Sequence, residues 1–412
     1  MDQLKTDWDL IVIGGGAAGF FGAIQCAEHA PGSRILILEK TGHLLGKVKI
    51  SGGGRCNVTH ACFEPKPLTA HYPRGHKSLI GPFHRWCSGD TVQWFEERGV
   101  ELKTESDGRM FPVTNSSQTI IDALMSAAEE SGIAIQVSIS VTSVEKRDGI
   151  FLLETKNDNS LKAKNILLAT GGTRLAAGAK LATSLDHKLI PNVPSLFAFN
   201  IDDPRLAHLP GVSVSSARVS VNGEKLTADG PMLITHHGLS GPGILKLSAW
   251  GARLLHEKDY RFNITIDWTP GEDLAALIQE TRAVWSKRLV RGRSPLAQFP
   301  KRLWDSLCRH AEIDEACTWS HLSKDAAKRL ETELRAGQYE VSGKSINKDE
   351  FVTCGGVHLP EVNLKTMESK LTPGLYFAGE VLDIDGITGG FNFQNAWTTG
   401  HLAGIAIAEN CG

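Results

Sequence analysis

Residues 9–40 have the sequence DLIVIGGGAAGFFGAIQCAEHAPGSRILILEK, and this stretch decides the fold that we expect for the chain. The apolar run at residues 10–13 predicts a buried strand, residues 17–29 predict a helix, and residues 34–38 predict a second strand. A G-x-G-x-x-G pattern separates the first strand from the helix and consists of Gly14, Gly16 and Gly19. The order of strand, glycine turn, helix and strand is typical of a βαβ unit.

The glycine turn has the features of a phosphate-binding site. Gly14 permits a tight turn, Gly16 lets the backbone approach a pyrophosphate, and Gly19 lets the helix pack closely on the strand. The start of the helix offers unpaired N–H groups and the positive end of a dipole to the phosphates. Glu39 ends the second strand, where its carboxylate can accept hydrogen bonds from ribose hydroxyls. The stretch therefore predicts a Rossmann-type dinucleotide-binding site.

Composition limits the other classes of function. A length of 412 residues predicts two or three domains, and 41% hydrophobic residues are enough to build their cores. The net charge is −2, which gives no bulk electrostatic case for binding nucleic acid or an anionic membrane. No signal peptide and no apolar run long enough to span a membrane are visible. Eight scattered cysteines without a C-x-x-C pair argue against a disulfide framework or a zinc site, and favour a reducing cytoplasm.

Residues 41–60, TGHLLGKVKISGGGRCNVTH, follow the ribose-binding acid directly. The consecutive glycines at 52–54 do not favour a helix or a strand, so we expect a loop whose backbone lies against a flat or charged group. The position of this stretch after a nucleotide-binding unit predicts that it runs under the cofactor toward its reactive ring. A flexible surface loop is the alternative.

The rest of the first half predicts a mixed α/β arrangement. Residues 65–82 are rich in Pro, His and Gly and predict a loop, and residues 90–98 predict a helix capped by Asp90. Residues 164–172 predict a buried strand that runs into a glycine turn beside the first strand. A further helix and three strands are predicted at residues 117–131, 133–137, 141–146 and 151–155.

The character of the sequence changes near residue 190. Several prolines punctuate short β-like runs, which predicts a separate β-rich domain. Residues 236–242, HHGLSGP, precede a predicted helix at residues 244–250. Residues 271–335 predict amphipathic helices with basic polar faces, which are most often solvated. No stretch there interleaves basic and aromatic residues strongly enough to claim RNA binding from sequence.

The C-terminal segment returns to the pattern of the first domain. Residues 374–378 predict a short buried strand, and residues 393–409 predict a helix with small residues along one face. Between them lie Glu380, Asp385 and the pair Gly389–Gly390. An acid after a strand, followed by glycines and a helix start, suits a ribityl chain and a flavin ring. The helix N-terminus can stabilise negative charge at the N1–C2=O edge of a reduced flavin.

Eight segments spread over nearly the whole chain resemble the HI0933-like family, also described as BaiN/RdsA-type or YhiN-like NAD(P)/FAD-dependent oxidoreductases. The matching segments are IVIGGGAAG, ISGGGRCNVT, GRMFP, LLATGG, ITHHGLSGPGILKLS, VTCGGV, KTMESK and GLYFAGEVLDIDGITGGFNFQNAWTTG. Two departures concern the loop near the flavin. The family more often has adjacent basic residues before ISGGG, whereas this chain has Lys47-Val48-Lys49, and His60 stands where Asn is commoner.

The resemblance implies an α/β fold of the two-dinucleotide-binding flavoprotein type. A Rossmann-like FAD-binding domain is expected at residues 1–190 and 352–412. A β-rich substrate or cap domain is expected at residues 191–270 and 336–351, with a small helical insertion at residues 271–335.

The sequence and the resemblance together give a set of expected FAD-binding residues and no metal ligands. The expected residues lie in the glycine turn, in the loop after Glu39, at the ends of strands and at the start of the last helix. They are Gly14, Gly16, Ala17, Ala18, Gly19, Glu39, Lys40, Lys47, Gly52, Gly53, Val141, Ala169, Thr170, Gly171, Gly379, Glu380, Asp385, Gly390, Phe391 and Asn392.

The resemblance also implies a reductase. Hydride would pass from NADH or NADPH through FAD to an electron-poor C=C bond in a small molecule, or in a uridine of RNA. No second complete G-x-G-x-x-G unit follows, so the nicotinamide is expected to dock transiently. An oxidase of small amines or alcohols that uses oxygen, and a non-catalytic FAD-stabilised binding protein, are the alternatives.

Four residues are candidate catalytic groups, a fifth is a candidate substrate-binding residue, and each has a plainer alternative role. Arg55 could orient a substrate, or it could bind phosphate or hold the loop. Cys56 could donate a proton, although a packed thiol is the commoner role. His236 and His237 could act as acid or base near neutral pH, or could only cap backbone groups. Arg109 could bind substrate or form a surface ion pair.

Overall fold

The computed structural model of the chain describes residues 7–157, 159–172, 177–297, 299–345 and 352–411. It divides into two compact units, of which the first comprises residues 1–194 and 348–412 and the second residues 195–347. The first unit is therefore built from both ends of the chain. The expected FAD-binding domain begins at residue 1, and the expected β-rich domain ends at residue 351. Residues 1–6 and 346–351 lie outside the described residues.

The strands of the described residues are numbered in chain order. They are β1 Trp8–Ile13, β2 Ile35–Leu38, β3 Thr59–His60, β4 Leu102–Thr104, β5 Arg109–Pro112, β6 Ala134–Gln136, β7 Val141–Arg147, β8 Ile150–Thr155, β9 Ser160–Leu168, β10 Leu189–Ser195, β11 Ala198–Asn200, β12 Ser213–Val221, β13 Thr227–Thr235, β14 Gly238–Ser240, β15 Phe262–Asp267, β16 Gly337–Val341, β17 Gly343–Ser345, β18 Val352–Val357, β19 Val362–Asn363, β20 Glu368–Ser369 and β21 Leu375–Phe377.

The α-helices are numbered in the same way. They are α1 Ala17–His29, α2 Gly46–Gly54, α3 Pro65–Thr69, α4 His76–Phe83, α5 Ser88–Glu96, α6 Ser117–Glu130, α7 Ala177–Thr183, α8 Pro242–Trp250, α9 Ala252–Glu257, α10 Leu274–Val284, α11 Lys301–His310, α12 Lys324–Ala336 and α13 Phe391–Glu409. Short 3₁₀ turns occur at Trp319–His321, Leu359–Glu361 and Gly379–Val381. Among the described residues, no helix is long and apolar enough to cross a membrane.

The first unit is organised around a parallel sheet in the order β21-β9-β1-β2-β6. The central strand β1 pairs with its two neighbours through Leu10, which lies opposite both Ile35 and Asn165. Its last four residues are buried, as in a parallel sheet that is covered on both faces. The carboxyl ends of β1, β2, β9 and β21 lie along one edge, which is where ligands bind in open α/β sheets.

Helices α1 and α13 pack closely through glycines. A Cβ at Gly400 would lie 2.8 Å from the Ala18 carbonyl oxygen, and one at Gly404 would lie 2.5 Å from the Gly22 carbonyl oxygen. Larger residues at these positions would therefore separate the helices. The close contact holds the first and last helices of the chain together in one unit.

The second unit contains an antiparallel sheet in the order β16-β15-β12-β13-β14-β11-β17. Helices α8 to α12 belong to the same unit, and one hydrophobic cluster includes both sheet residues such as Val219 and helix residues such as Trp304. The β-rich part and the helical part expected from sequence thus share a core. Their separate boundaries remain predictions.

The structure confirms the α/β fold with a Rossmann-type unit, and α1 begins and ends where the sequence predicts. Three local predictions are wrong. Residues 65–82 contain α3 and most of α4, and Pro65 takes the first position of α3, where proline is tolerated. Cys87, not Asp90, caps α5; the Asp90 carboxylate instead accepts the Cys87 N–H from the third helical position. The predicted loop at 41–60 contains α2.

Candidate cofactor and active site

The glycine turn after β1 leaves open space at the start of α1. Gly14 has φ +118°, and a Cβ there would lie 2.3 Å from the Ala169 carbonyl oxygen. A Cβ at Gly16 would meet no atom within 4 Å, although this residue lies beside the buried turn. No side chain caps the first N–H groups of α1. The turn therefore fits a pyrophosphate, which would fill the space and accept from those groups.

Glu39 is held beside this turn by backbone donors. Its Oε2 accepts the Gly15 N–H at 2.9 Å, and its Oε1 accepts the N–H and the hydroxyl of Thr41, both at 2.8 Å. Because each carboxylate oxygen can accept two hydrogen bonds, Oε2 retains capacity for a ribose hydroxyl. Lys40, the next residue, is exposed.

The end of β9 lies against the glycine turn. The Ala169 N–H donates to the Ile13 carbonyl at 2.9 Å, which continues the parallel pairing past the strand. The Thr170 hydroxyl is buried without a hydrogen-bond partner among the described residues. Gly171 has φ +72°, and a Cβ there would meet nothing within 4 Å. An unpartnered hydroxyl beside open space is what a bound polar group would satisfy.

Glu380 brings the segment that follows β21 to the same carboxyl edge of the parallel sheet. Its Oε2 pairs with Lys47 Nζ at 2.5 Å, and its Oε1 accepts the Thr353 N–H at 3.1 Å. The preceding Gly379 has φ +76°, and a Cβ there would lie 2.8 Å from the Ala18 Cβ. The structure thus brings Lys47, Glu380 and the start of α1 together from three distant parts of the sequence.

The glycine triplet after Ser51 has left-handed backbone geometry. The φ angles of Gly52, Gly53 and Gly54 are +59°, +69° and +82°, which residues with a Cβ adopt only with strain. A Cβ at Gly52 would also lie 2.8 Å from the Phe111 ring, whereas Gly53 and Gly54 face open space. Residues 46–50 are helical, so the expected loop is confined to the triplet and the residues that follow it.

Cys56 follows the triplet and is completely buried. Burial raises the pKa of its thiol to about 12, and a hydrogen bond with Ser51 only partly opposes this effect. A thiol of this pKa holds its proton tightly at neutral pH and is a poor acid. The geometry favours the packed role that the sequence left open.

Arg55 and Arg109 share one carboxylate. Arg55 Nη1 lies 2.6 Å from one oxygen of Glu105, and Arg109 Nη2 lies 3.0 Å from the other. Arg109 also pairs with Asp107 at 2.7 Å, and the Arg55 guanidinium lies 4.0 Å from the centre of the Phe111 ring. Because two cations face two anions, the cluster has no net charge, and this favours the loop-holding role for Arg55.

Sequence reasoning missed a group of aromatic rings at the start of α13. The Phe391 ring stacks with His60 at 4.7 Å and with His71 at 4.2 Å between ring centres. His60 Nε2 must donate to the Asp107 carbonyl oxygen at 3.1 Å, because a carbonyl only accepts. Burial lowers the pKa of His60, and its buried Nδ1 has no partner among the described residues. The neutral ring therefore presents an unused acceptor.

The loop before α13 is fixed by its own side chains. Asp385 is completely buried and forms an ion pair with Arg74, whose Nε donates at 2.5 Å. Asn392 closes the loop, since its amide both accepts from the Gly386 N–H and donates to the Gly386 carbonyl. Gly390, with φ +93°, precedes α13 without a side-chain cap. Arg74 was not among the expected site residues, because no local pattern links it to Asp385.

Val141 begins β7 and is buried opposite Thr155 of β8, on the sheet of the first unit.

His236 and His237 belong to the second unit, where they form the exposed turn between β13 and β14. They line a surface cleft of about 290 Å³ together with Asn200, Asp202 and Ser342. Among the described residues, no group of three or more His, Cys, Asp or Glu could hold a metal ion.

The parallel sheet, the open glycine turn and the converging segments define a Rossmann-type dinucleotide-binding unit, and similarity to a family of flavoproteins and to known reductases identifies the chain as an FAD-dependent oxidoreductase. The chain belongs to the HI0933-like family, because the family model described as the HI0933-like protein Rossmann domain matches residues 8–406.

Two curated relatives match over almost the full length. The chain is 29% identical over 401 residues to the ribosomal RNA dihydrouridine synthase of Escherichia coli (strain K12), covering 95% of this chain and 96% of that protein. It is 26% identical over 412 residues to the 3-dehydro-bile acid delta(4,6)-reductase of Clostridium scindens, covering 97% and 98%.

A solved structure shows a similar fold. The 3-ketosteroid-delta4-(5alpha)-dehydrogenase from Rhodococcus jostii RHA1 matches with a TM-score of 0.52 and 15% identity, and the match covers 99% of this chain and 98% of that one. At this identity the likeness concerns the fold alone.

Proposed function

We propose that this enzyme reduces an electron-poor C=C bond conjugated to a carbonyl group, with NADH or NADPH as the electron donor. When bound, FAD supplies the hydride chemistry that side chains lack. The observation that carries the proposal is the glycine-lined space at the carboxyl edge of the sheet, beside the uncapped start of α1. The two full-length relatives are named for saturating or reducing such bonds, which supports a reductase over an oxidase.

The residues at this edge divide the binding work. The start of α1 would bind the pyrophosphate, and Glu39 would accept hydrogen bonds from the ribose hydroxyls. Lys47 and Glu380, paired with each other, border the space near Gly172 and Thr353. The uncapped start of α13 at Gly390 would stabilise negative charge on a bound flavin ring.

The second carbon also needs a proton, which a side chain can donate as a general acid. Cys56 is unsuited, because burial raises its pKa to about 12. His60 is also unsuited as a cationic acid, because burial lowers its pKa. We propose that His236 or His237, which are exposed in the second unit, delivers this proton.

Two substrate classes remain under this proposal. Both a small enone and the uracil ring of an RNA uridine present a C=C bond conjugated to a carbonyl group. Each of the two full-length relatives represents one class by its name. We also propose a cytoplasmic location, because all eight cysteines are free thiols and reducing compartments keep them so.

The test uses chemically reduced, FAD-loaded enzyme with an enone or with uridine-containing RNA, and detects the saturated product by mass spectrometry. A His236→Gln/His237→Gln variant should slow product formation by about 10²- to 10⁴-fold, the usual contribution of a general acid. The rate at which NADH or NADPH reduces the flavin of this variant should not change. The matched control is His208→Gln/His310→Gln, which replaces two other exposed histidines of the second unit.

Saturated product from the wild type, lost only in the first variant, supports the proposal. No saturated product from either substrate, together with oxygen consumption on addition of amines, would contradict the reductase and favour an oxidase. Loss of flavin reduction in the His236/His237 variant would contradict the role assigned to those residues.

A further inference from the structure

Residues 281–304 of the second unit form a basic stretch within an almost neutral chain. The stretch contains seven Lys or Arg residues and no Asp or Glu, whereas the whole chain has a net charge of −2. It begins in the last turn of α10 and ends within α11. A solvated charge run of this kind needs a specific structure before it indicates a binding surface.

The backbone of this stretch is held in place. The Val290 N–H donates to the Cys317 carbonyl at 2.9 Å, and the Trp319 N–H donates to the Arg288 carbonyl at 3.0 Å. From beneath, the buried Trp304 donates its indole N–H to the Val290 carbonyl at 2.8 Å. The exposed side chains of residues 284–293 therefore project from a backbone that is held by these hydrogen bonds.

Most of the positive charge is not neutralised. Lys287, Arg288 and Arg293 are exposed, and none of them has a carboxylate partner among the described residues. Arg282 and Arg302 donate to backbone carbonyls, so they keep their charge. The exception is Arg291, which pairs with Asp305 at 2.8 Å.

An aromatic ring lies among these cations. Trp285 is half-buried against the core of the second unit, and its ring centre lies 5.1 Å from the Arg288 guanidinium and 6.0 Å from that of Arg293. In the same stretch, Val284 is 77% exposed and Leu289 is 47% exposed. The structure thus combines cations, a supported aromatic ring and apolar groups that the sequence pattern alone did not connect.

The geometry points to a docking surface for single-stranded RNA, which we call the Trp285 surface, consisting of Val284, Trp285, Lys287, Arg288, Leu289 and Arg293. The cations neutralise phosphates, and the indole ring stacks on a base. This inference rests on the proposed function and selects RNA from its two substrate classes. An acidic protein would use the charges but would not need an aromatic ring near them.

The experiment measures binding of full-length, FAD-loaded protein to a fluorescently labelled, uridine-containing single-stranded RNA across a salt series. A Lys287→Ala/Arg288→Ala/Arg293→Ala variant should lose about tenfold or more in affinity. The slope of log affinity against log salt should become shallower by roughly 2, because each single-strand phosphate contact contributes about 0.7. Trp285→Ala should weaken binding by about tenfold with little change in slope, because base stacking is not ionic.

A matched control removes the same charge from the same unit. The variant Arg218→Ala/Lys258→Ala/Lys328→Ala replaces three cations that are each paired with a nearby acid, namely Asp229, Glu224 and Glu331. This control should bind RNA within about twofold of the wild type. Equal losses in both triple variants would contradict the assignment, and so would competition by polyglutamate as strong as that by unlabelled RNA.

The two proposals can fail separately. Turnover of a small enone is measured on the same preparations and should be unchanged in the Trp285 surface variants. Enone turnover without RNA binding would overturn the docking surface and leave the reductase standing. RNA binding through this surface by a protein that saturates no C=C bond would overturn the proposed reaction and leave the surface standing.

Discussion

The two units place their candidate functional residues in different ways. In the first unit, close backbone contacts fix the site: Gly14, Gly379 and Gly390 each have a positive φ and lie where a Cβ would collide with a neighbouring segment. In the second unit, the candidates are exposed side chains on turns, such as His237 and Arg288. Steric contacts therefore constrain the candidate cofactor site, whereas the residues proposed for substrate recognition are exposed side chains that such contacts do not restrict.

The largest expected effect comes from breaking the backbone constraint. Gly14→Ala would place a Cβ 2.3 Å from the Ala169 carbonyl oxygen at a φ of +118°. We expect loss of bound FAD and destabilisation by about 3 kcal/mol or more, from overpacking and strain together. Flavin absorbance after gel filtration and urea unfolding measure both effects.

Gly32→Ala is the matched control for this change. Gly32 has φ +87° but would place its Cβ in open space, so only strain of about 1 kcal/mol is expected. Full retention of FAD by Gly14→Ala would show that the close contact with β9 does not shape the site.

The buried ion pair before α13 should show the next largest effect. Arg74→Ala leaves the Asp385 carboxylate, which has no exposed surface, without its cation, and we expect a loss of about 3–5 kcal/mol. Arg98→Ala, which breaks the more exposed pair with Glu28, should cost about 1 kcal/mol or less. Chemical denaturation compares the two, and equal costs would contradict the importance of burial.

The contact between α1 and α13 predicts that the stability of the folded protein depends on pH. Burial lowers the pKa of His401 to about 4, and its ring bonds to the Gln25 side chain and packs on Trp86. The unfolded chain takes up this proton near pH 6.5 and the folded chain only near pH 4, so stability falls as the pH drops between these values. The loss is about 3 kcal/mol.

His401→Gln keeps a polar group at this position and removes the titration. The variant should lose less stability than the wild type between pH 6.5 and pH 4, as measured by urea unfolding at each pH. Parallel stability curves for the two proteins would show that His401 is not the group responsible.

The smallest effect is expected at Cys56. Cys56→Ser conserves size and can keep the hydrogen bond with Ser51, so FAD should be retained and the rate at saturating substrate should change by less than about threefold. Steady-state turnover with an enone tests this. A loss of 10²-fold or more would restore the proton-donor role.

Sequence predicts most of the first unit because its signals are local. The run at residues 10–13, the glycine turn and α1 follow each other directly, and each element has a pattern of its own. The pairing of Arg74 with Asp385 joins residues 311 positions apart, and the stacking of His60 on Phe391 joins different segments. Such contacts have no local signature, so only the folded structure reveals them.

The Trp285 surface shows the same limit in the second unit. Its cations are visible in the sequence, but their lack of acidic partners within the described part of the chain and their approach to Trp285 depend on how residues 284–293 pack. The roles of His236 and His237 remain predictions for a related reason. An exposed turn does not by itself define which atoms its side chains meet.

Anaerobic stopped-flow bleaching of the bound flavin by NADH, by NADPH and without a donor tests whether the enzyme is a nicotinamide-dependent reductase. We predict rapid bleaching by one nicotinamide, followed by recovery of flavin absorbance when an enone or uridine-containing RNA is added. No bleaching by either nicotinamide, with bleaching by a small amine or alcohol instead, would contradict this prediction.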